Sequence, residues 1–222
     1  MEYFLLSIVQ LIALFFISRK TTALFFYFLR KISHYEKFNF TIIAILYLPG
    51  TIIHEMSHFF AALILFLRVR DVSIFPTFQK NYIKLGSVTY ERKDFIRGFL
   101  VGIAPLGGGM IVLYGIGSFH LFPATHLLLN TLMIYVIFTV SSTMFSSSQD
   151  LVDFLYMIPF LVIGVGLIYV FHIDIARIAE NISMINQLPS FMKTINIYLL
   201  FSLIINISII IFMTIMIHLL KK

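Results

Sequence analysis

The chain has 222 residues, 60% of them hydrophobic and 12% charged, with a mean hydropathy of +0.99. So few charges exclude an ordinary soluble domain, which is about half apolar and roughly a quarter charged, and the hydrophobicity excludes a disordered chain. The net charge is +6 and there is no cysteine, so a disulfide framework, a zinc ribbon and a thiol nucleophile are excluded, and any metal must be held by His, Asp or Glu.

A bilayer core of about 30 Å takes about 20 apolar residues in a helix. Residues 3–18 are a first, slightly short run. It lacks a basic leader and a small-residue cleavage site, so it reads as a retained span and not a signal peptide. Arg19 and Lys20 follow, then an apolar patch at 23–29 that either extends the first helix or lies in the interface. Residues 38–67 are a second run whose one acidic or basic residue, His aside, is Glu55. It is long enough to cross with tilt, and Pro49-Gly50 marks a kink or a helix start.

Between 68 and 93 the apolar period changes to two: Val72 and Ile74, Ile83 and Leu85, Val88 and Tyr90. Residues 76–81 supply a turn, and the phase slips at Gly86-Ser87 as at a bulge. This predicts a β-hairpin. A third span, 98–118, holds Gly102, Gly107, Gly108, Gly109, Gly115 and Gly117, which permit close helix approach in lipid. Ala104-Pro105 within it marks either a packing kink or one that opens backbone groups near a site. A fourth span, 127–145, carries Thr139, Ser141, Ser142 and Thr143, which line a polar cavity or bond back to their own helix. Spans at 151–171 and 195–217 follow, the last closed by Lys221-Lys222.

The expected fold is an all-α polytopic membrane protein, integral and multi-pass. It has about six transmembrane helices and a small β-hairpin between the second and third. Its parts are an N-terminal span and interfacial segment at 1–37, a membrane core at 38–171 with the hairpin at 68–93, and a loop and C-terminal span at 172–222. The basic residues then sit in short loops and act as topology charges, with the lipid bilayer as partner and no nucleic acid. With Met1 inside, nine basic residues fall inside and seven outside, which weakly favours a cytoplasmic site.

The second run contains His54-Glu55-Met56-Ser57-His58, the HExxH pattern. Residues four apart share one helical face, so both imidazoles can bind one cation, with Glu55 beside them as general base for a metal-activated water. From this chain's own His and Glu frequencies, chance predicts roughly 0.005 copies of the pattern. Ionisable groups inside a span are costly unless paired or liganded. The bland alternative is a polar cluster tying helices together. A catalytic zinc site needs a third protein ligand. The site lies towards the hairpin end of its span, and two further crossings return the chain to that end just before Asp150. His120, His126, His172, Asp174 and Glu180 fall on the other side. Asp150 is therefore the expected third ligand and Asp153 the reserve. Asp150 also suits the acidic first turn of a helix.

HEMSH inside a membrane span, a hairpin after it and an acidic residue two spans later resemble the site-2 protease family of intramembrane zinc metalloproteases. The resemblance covers residues 38–171. It implies Zn2+ held by His54, His58 and Asp150, Glu55 as base, and a membrane-protein substrate cut within or near the bilayer. The sequence Ser-Ser-Ser-Gln-Asp-Leu around Asp150 is similar to divergent branches with a Ser-x-x-Asp pattern, here Ser147 to Asp150. The alternative is a non-catalytic, metal-binding membrane scaffold or chaperone of the same fold.

Overall fold

The structure, a computed structural model, describes residues 2–74, 77–78, 83–84, 86–91, 93–145, 159, 162–163, 166, 170–171 and 188–219. Most of the chain is helical, with a small antiparallel sheet. In order the elements are α1 Glu2–Ile32, α2 Glu36–Leu46, α3 Leu48–Ile64, β1 Val69–Ser73, β2 Thr77–Phe78, β3 Ile83–Lys84, β4 Ser87–Tyr90, α4 Phe95–Ser118, α5 Leu127–Thr143 and α6 Leu188–Leu219. The helices α1, α4 and α6 are long and apolar enough to cross a membrane. The expected fifth span, 151–171, lies almost wholly outside the described residues.

The first helix is longer than the first apolar run. Arg19 and Lys20 lie inside α1 and do not form a loop, and the 23–29 patch extends the same helix. Arg and Lys are good helix formers, and no Gly or Pro interrupts residues 5–32, so nothing stops the helix at Ser18. Conversely, the 38–67 run is two helices, α2 and α3, bent by 71°. Pro49 sits in the first turn of α3, where its missing N–H is harmless, whereas in a continuous helix its ring would clash with the carbonyl four residues back.

The α3 helix ends through Phe66, at φ 54°, with Leu67 N–H bonding back to Ala62 O at 2.9 Å. That Schellman-type stop turns the chain into the hairpin. Strands β1 and β4 pair antiparallel, Val72 opposite Val88 and Ser73 opposite Ser87, and β2 pairs with β3 further along the same hairpin. The ladder slips by one residue next to Gly86, since Ser73 pairs with Ser87 but Thr77 with Lys84, and it slips a second time near the hairpin base. The register shifts between Val69 and Asp71 on the opposite strand, because Arg70 is the extra residue there. The side chain of Arg70 reaches Glu91 Oε1 with Nε at 3.0 Å and Nη2 at 2.8 Å, clamping the hairpin base. That hydrogen bond, and then the guanidinium charge, hold the Glu91 carboxyl below its usual range.

The core lies where α1, α4, α5 and α6 meet, around Leu14, Leu113, Ile137, Ile195 and Leu199. Polar residues fix the register across it. Ser7 Oγ donates to Asn196 Oδ1 at 2.7 Å, Ser141 bonds Ser202, and Asn206 Nδ2 donates to Ser142 Oγ at 3.3 Å. The helix α3 packs against α4 and α5 through small residues. A Cβ on Gly50 would stand 2.6 Å from the carbonyl carbon of Thr139, and one on Gly108 would collide with Ser57. The close approach of α3 to α5 thus depends on a residue without a side chain.

Candidate metal centre

The buried stripe of α3 runs through Thr51, His54, Glu55, His58 and Ala62. Its three ionisable members are 4%, 7% and 9% exposed, respectively. Helical spacing brings the His54 and His58 rings together, with their Nε2 atoms 3.2 Å apart.

What orients the two rings is backbone. The Nδ1 of His54 is 2.8 Å from Thr143 O, and that of His58 is 2.8 Å from Val101 O. A carbonyl only accepts, so each Nδ1 donates, and Nε2 is the nitrogen of each ring left to carry a lone pair. Both carbonyls are ones that their own helices leave over. Thr143 is the last residue of α5, where the final carbonyls have no intrahelical donor. Val101 is four residues before Pro105, which has no N–H to give it. The proline inside α4 therefore opens a backbone acceptor at the site, one of the two readings its position allowed.

Two acceptor nitrogens at 3.2 Å repel unless a cation or an extra proton lies between them. Two nitrogens each about 2.0–2.1 Å from one tetrahedral ion stand about 3.3–3.4 Å apart. The donor set therefore fits a shared metal ion. Imidazoles whose Nδ1–H is held by a carbonyl are also the usual support of metal-ligating histidines. Pro105→Ala returns an N–H that competes for Val101 O. It is expected to weaken zinc affinity by about ten-fold, measured by competition with a fluorescent chelator.

Glu55 lies beside this pair, under the hairpin. A Cβ on Gly86 would stand 2.6 Å from Glu55 Cγ, 2.9 Å from Oε1 and 3.0 Å from Cδ. The backbone before β4 thus rests on the carboxylate. The sequence marked Gly86 only as a point of irregular phase. A glycine inside a strand pattern is also the signal for a close backbone approach, and that is what it denotes here.

Among the described residues no group of three or more His, Cys, Asp or Glu gathers to hold an ion. Asp150 and Asp153 both lie outside the described residues, as do His172, Asp174 and Glu180. The end of α5 that precedes Asp150 is at the site, since Thr143 O accepts from His54. His120 and His126 lie past the other end of α4; His120 is 19 residues beyond Val101, about 28 Å along the helix axis. The α5 hydroxyls mostly bond back to their own helix: Ser141 to Ile137 O at 2.6 Å and Thr143 to Thr139 O at 2.9 Å. Ser142 and Thr143 also border a cavity beside the site.

No protein-family model matches this chain, and neither a curated protein nor a solved structure is found to match it. The case for function rests on the site itself.

Proposed function

We propose that this chain is a multi-pass integral membrane zinc metalloprotease of the site-2 protease type, which hydrolyses a peptide bond of a membrane-protein substrate within or near the bilayer. The observation that carries the reading is the convergence of the two Nε2 atoms, each ring locked by a backbone carbonyl, beside a buried carboxylate. Asp150 completes the ligand set in this proposal, with Asp153 in reserve.

A zinc ion bound there supplies Lewis-acid activation of a water and of the scissile carbonyl. The chain's own residues do the rest. Carbonyls of Val101 and Thr143 hold both imidazoles in one tautomer and one orientation. The Glu55 carboxylate takes the proton of the attacking water and passes it to the leaving amine. The hairpin over Glu55 offers strand edges along which an extended peptide can add by main-chain hydrogen bonds. Burial of the three ionisable residues keeps bulk water from competing for those groups.

The test is cleavage of a tagged membrane protein by the detergent-purified chain. Cleavage is expected to stop with a zinc chelator and to return with added zinc. Zinc binding without cleavage of any membrane substrate tried would instead support the scaffold reading.

A further inference from the structure

The helix α1 places a cation where the proposed chemistry does not use one. Leu11 and Leu14 join the core cluster of Leu199 and Leu203 on one side of Arg19, and Phe25, Phe26 and Leu29 pack in the cluster of Ile205 and Ile209 on the other. Arg19 therefore lies partway along the paired helices α1 and α6. Residues 194–217 of α6 carry no acidic or basic residue over about 35 Å of helix. An ionisable residue at such a level needs a polar purpose.

Around Arg19 lies a cavity of about 410 Å3, formed by α1, α2, Tyr47 and the end of α5. Ser18, Thr22, Tyr47, Ser142 and Thr143 are among the residues that line it. Among the described residues Arg19 makes no ion pair; its guanidinium carbon stands 4.6 Å from the centroid of the Phe15 ring. A guanidinium stacked on an aromatic ring keeps its N–H edge for a planar anion. Thr22 Oγ1 lies 3.0 Å from Ser18 O and 3.1 Å from the Tyr47 hydroxyl. When Thr22 donates to Tyr47, the Tyr47 O–H is left to donate into the cavity. Thr143 joins the two sites: it lines the cavity and its carbonyl accepts from His54.

We propose that this cavity is a carboxylate-binding site. Arg19 supplies the charge and Tyr47 a neutral donor, and the ligand is the free carboxylate of a membrane peptide. The level of Arg19 within the apolar band favours a peptide over a lipid phosphate, which lies at the interface. That the ligand is a peptide rests on the protease reading of the neighbouring site. The carboxylate chemistry does not, because binding needs no turnover.

The experiment compares two probes on the detergent-purified full chain, N-acetyl-leucyl-leucine as the free acid and as its C-terminal amide, by Tm and by titration. The free acid is expected to raise the Tm and the amide to leave it unchanged. Arg19→Gln raises the Kd of the acid by about ten-fold or more, as loss of a charge-assisted hydrogen bond does. Arg19→Lys retains part of the binding, and Lys20→Gln retains all of it. Should Arg19→Gln fail to fold, Tyr47→Phe, with an expected smaller rise in Kd, takes its place. Equal binding of acid and amide, no binding of either, or binding untouched by Arg19→Gln overturns the proposal. So does a Tm rise that depends on Arg19 and appears only in nanodiscs containing phosphatidylglycerol, which would assign the site to lipid phosphate. A chain that binds the acid through Arg19 but cleaves nothing would keep this site and remove the protease.

Discussion

Glu55→Gln is expected to lower peptide-bond cleavage by about 10²–10⁴-fold while zinc content stays at the wild-type level. The amide has the carboxylate's size, so the packing under Gly86 survives, and the two imidazoles with their Val101 and Thr143 partners are untouched. The proton acceptor is lost. The check is cleavage of a tagged membrane substrate beside a metal assay on the same preparation. Wild-type turnover in the variant would remove Glu55 from the chemistry. Loss of zinc together with activity would make its role structural.

Gly86→Ala is expected to reduce kcat by about 10²-fold, with zinc content and Tm near wild type. The added Cβ meets Glu55 Cγ at 2.6 Å and Oε1 at 2.9 Å, so either the carboxylate or the strand must move. A shift of about an ångström in a reacting group costs on the order of 10²-fold. The hairpin is joined to the core at its base, where Val69 and Tyr90 pack in the cluster of Ala62, Leu67 and Val101, and its two arms are tied there by the Glu91 N–H to Arg68 O bond at 2.9 Å. The Glu55 side chain is therefore the freer of the two to yield. A change in KM alone would point instead to a hairpin that only receives substrate. Unchanged kinetics would show that the hairpin gives way without moving the base.

The parts of this arrangement legible in the sequence are those set by local rules. HExxH needs only helical spacing to bring two imidazoles to one face, while the 3.2 Å Nε2 separation also takes the two carbonyls that orient the rings. Pro49 marks a helix start and Pro105 an exposed carbonyl because proline acts on its own neighbourhood. The period-two pattern reveals the hairpin. What was not legible depends on partners far along the chain. The carbonyl of Thr143 is a ligand orienter only because α5 ends against α3. Gly86 matters because of Glu55, more than thirty residues earlier. The period-two pattern marks the slip next to Gly86 but not the second one at Arg70, nearer the hairpin base. Arg19 marked the end of a span in the apolar pattern, yet α1 runs through it, because hydropathy and helix propensity are different properties of the same residue.

The most direct test of the account is the zinc content of the detergent-purified chain, for wild type, His58→Ala and Asp150→Ala together. The account predicts about one zinc per wild-type chain, the amount expected of a single His-His-carboxylate site. It predicts loss of that zinc in His58→Ala and in Asp150→Ala after dialysis, each with the wild-type elution profile. Zinc kept in Asp150→Ala but lost in Asp153→Ala would make Asp153 the third ligand. No zinc in the wild type, even after reconstitution, would contradict the central claim and leave His54, Glu55 and His58 as a polar cluster joining α3 to α4 and α5.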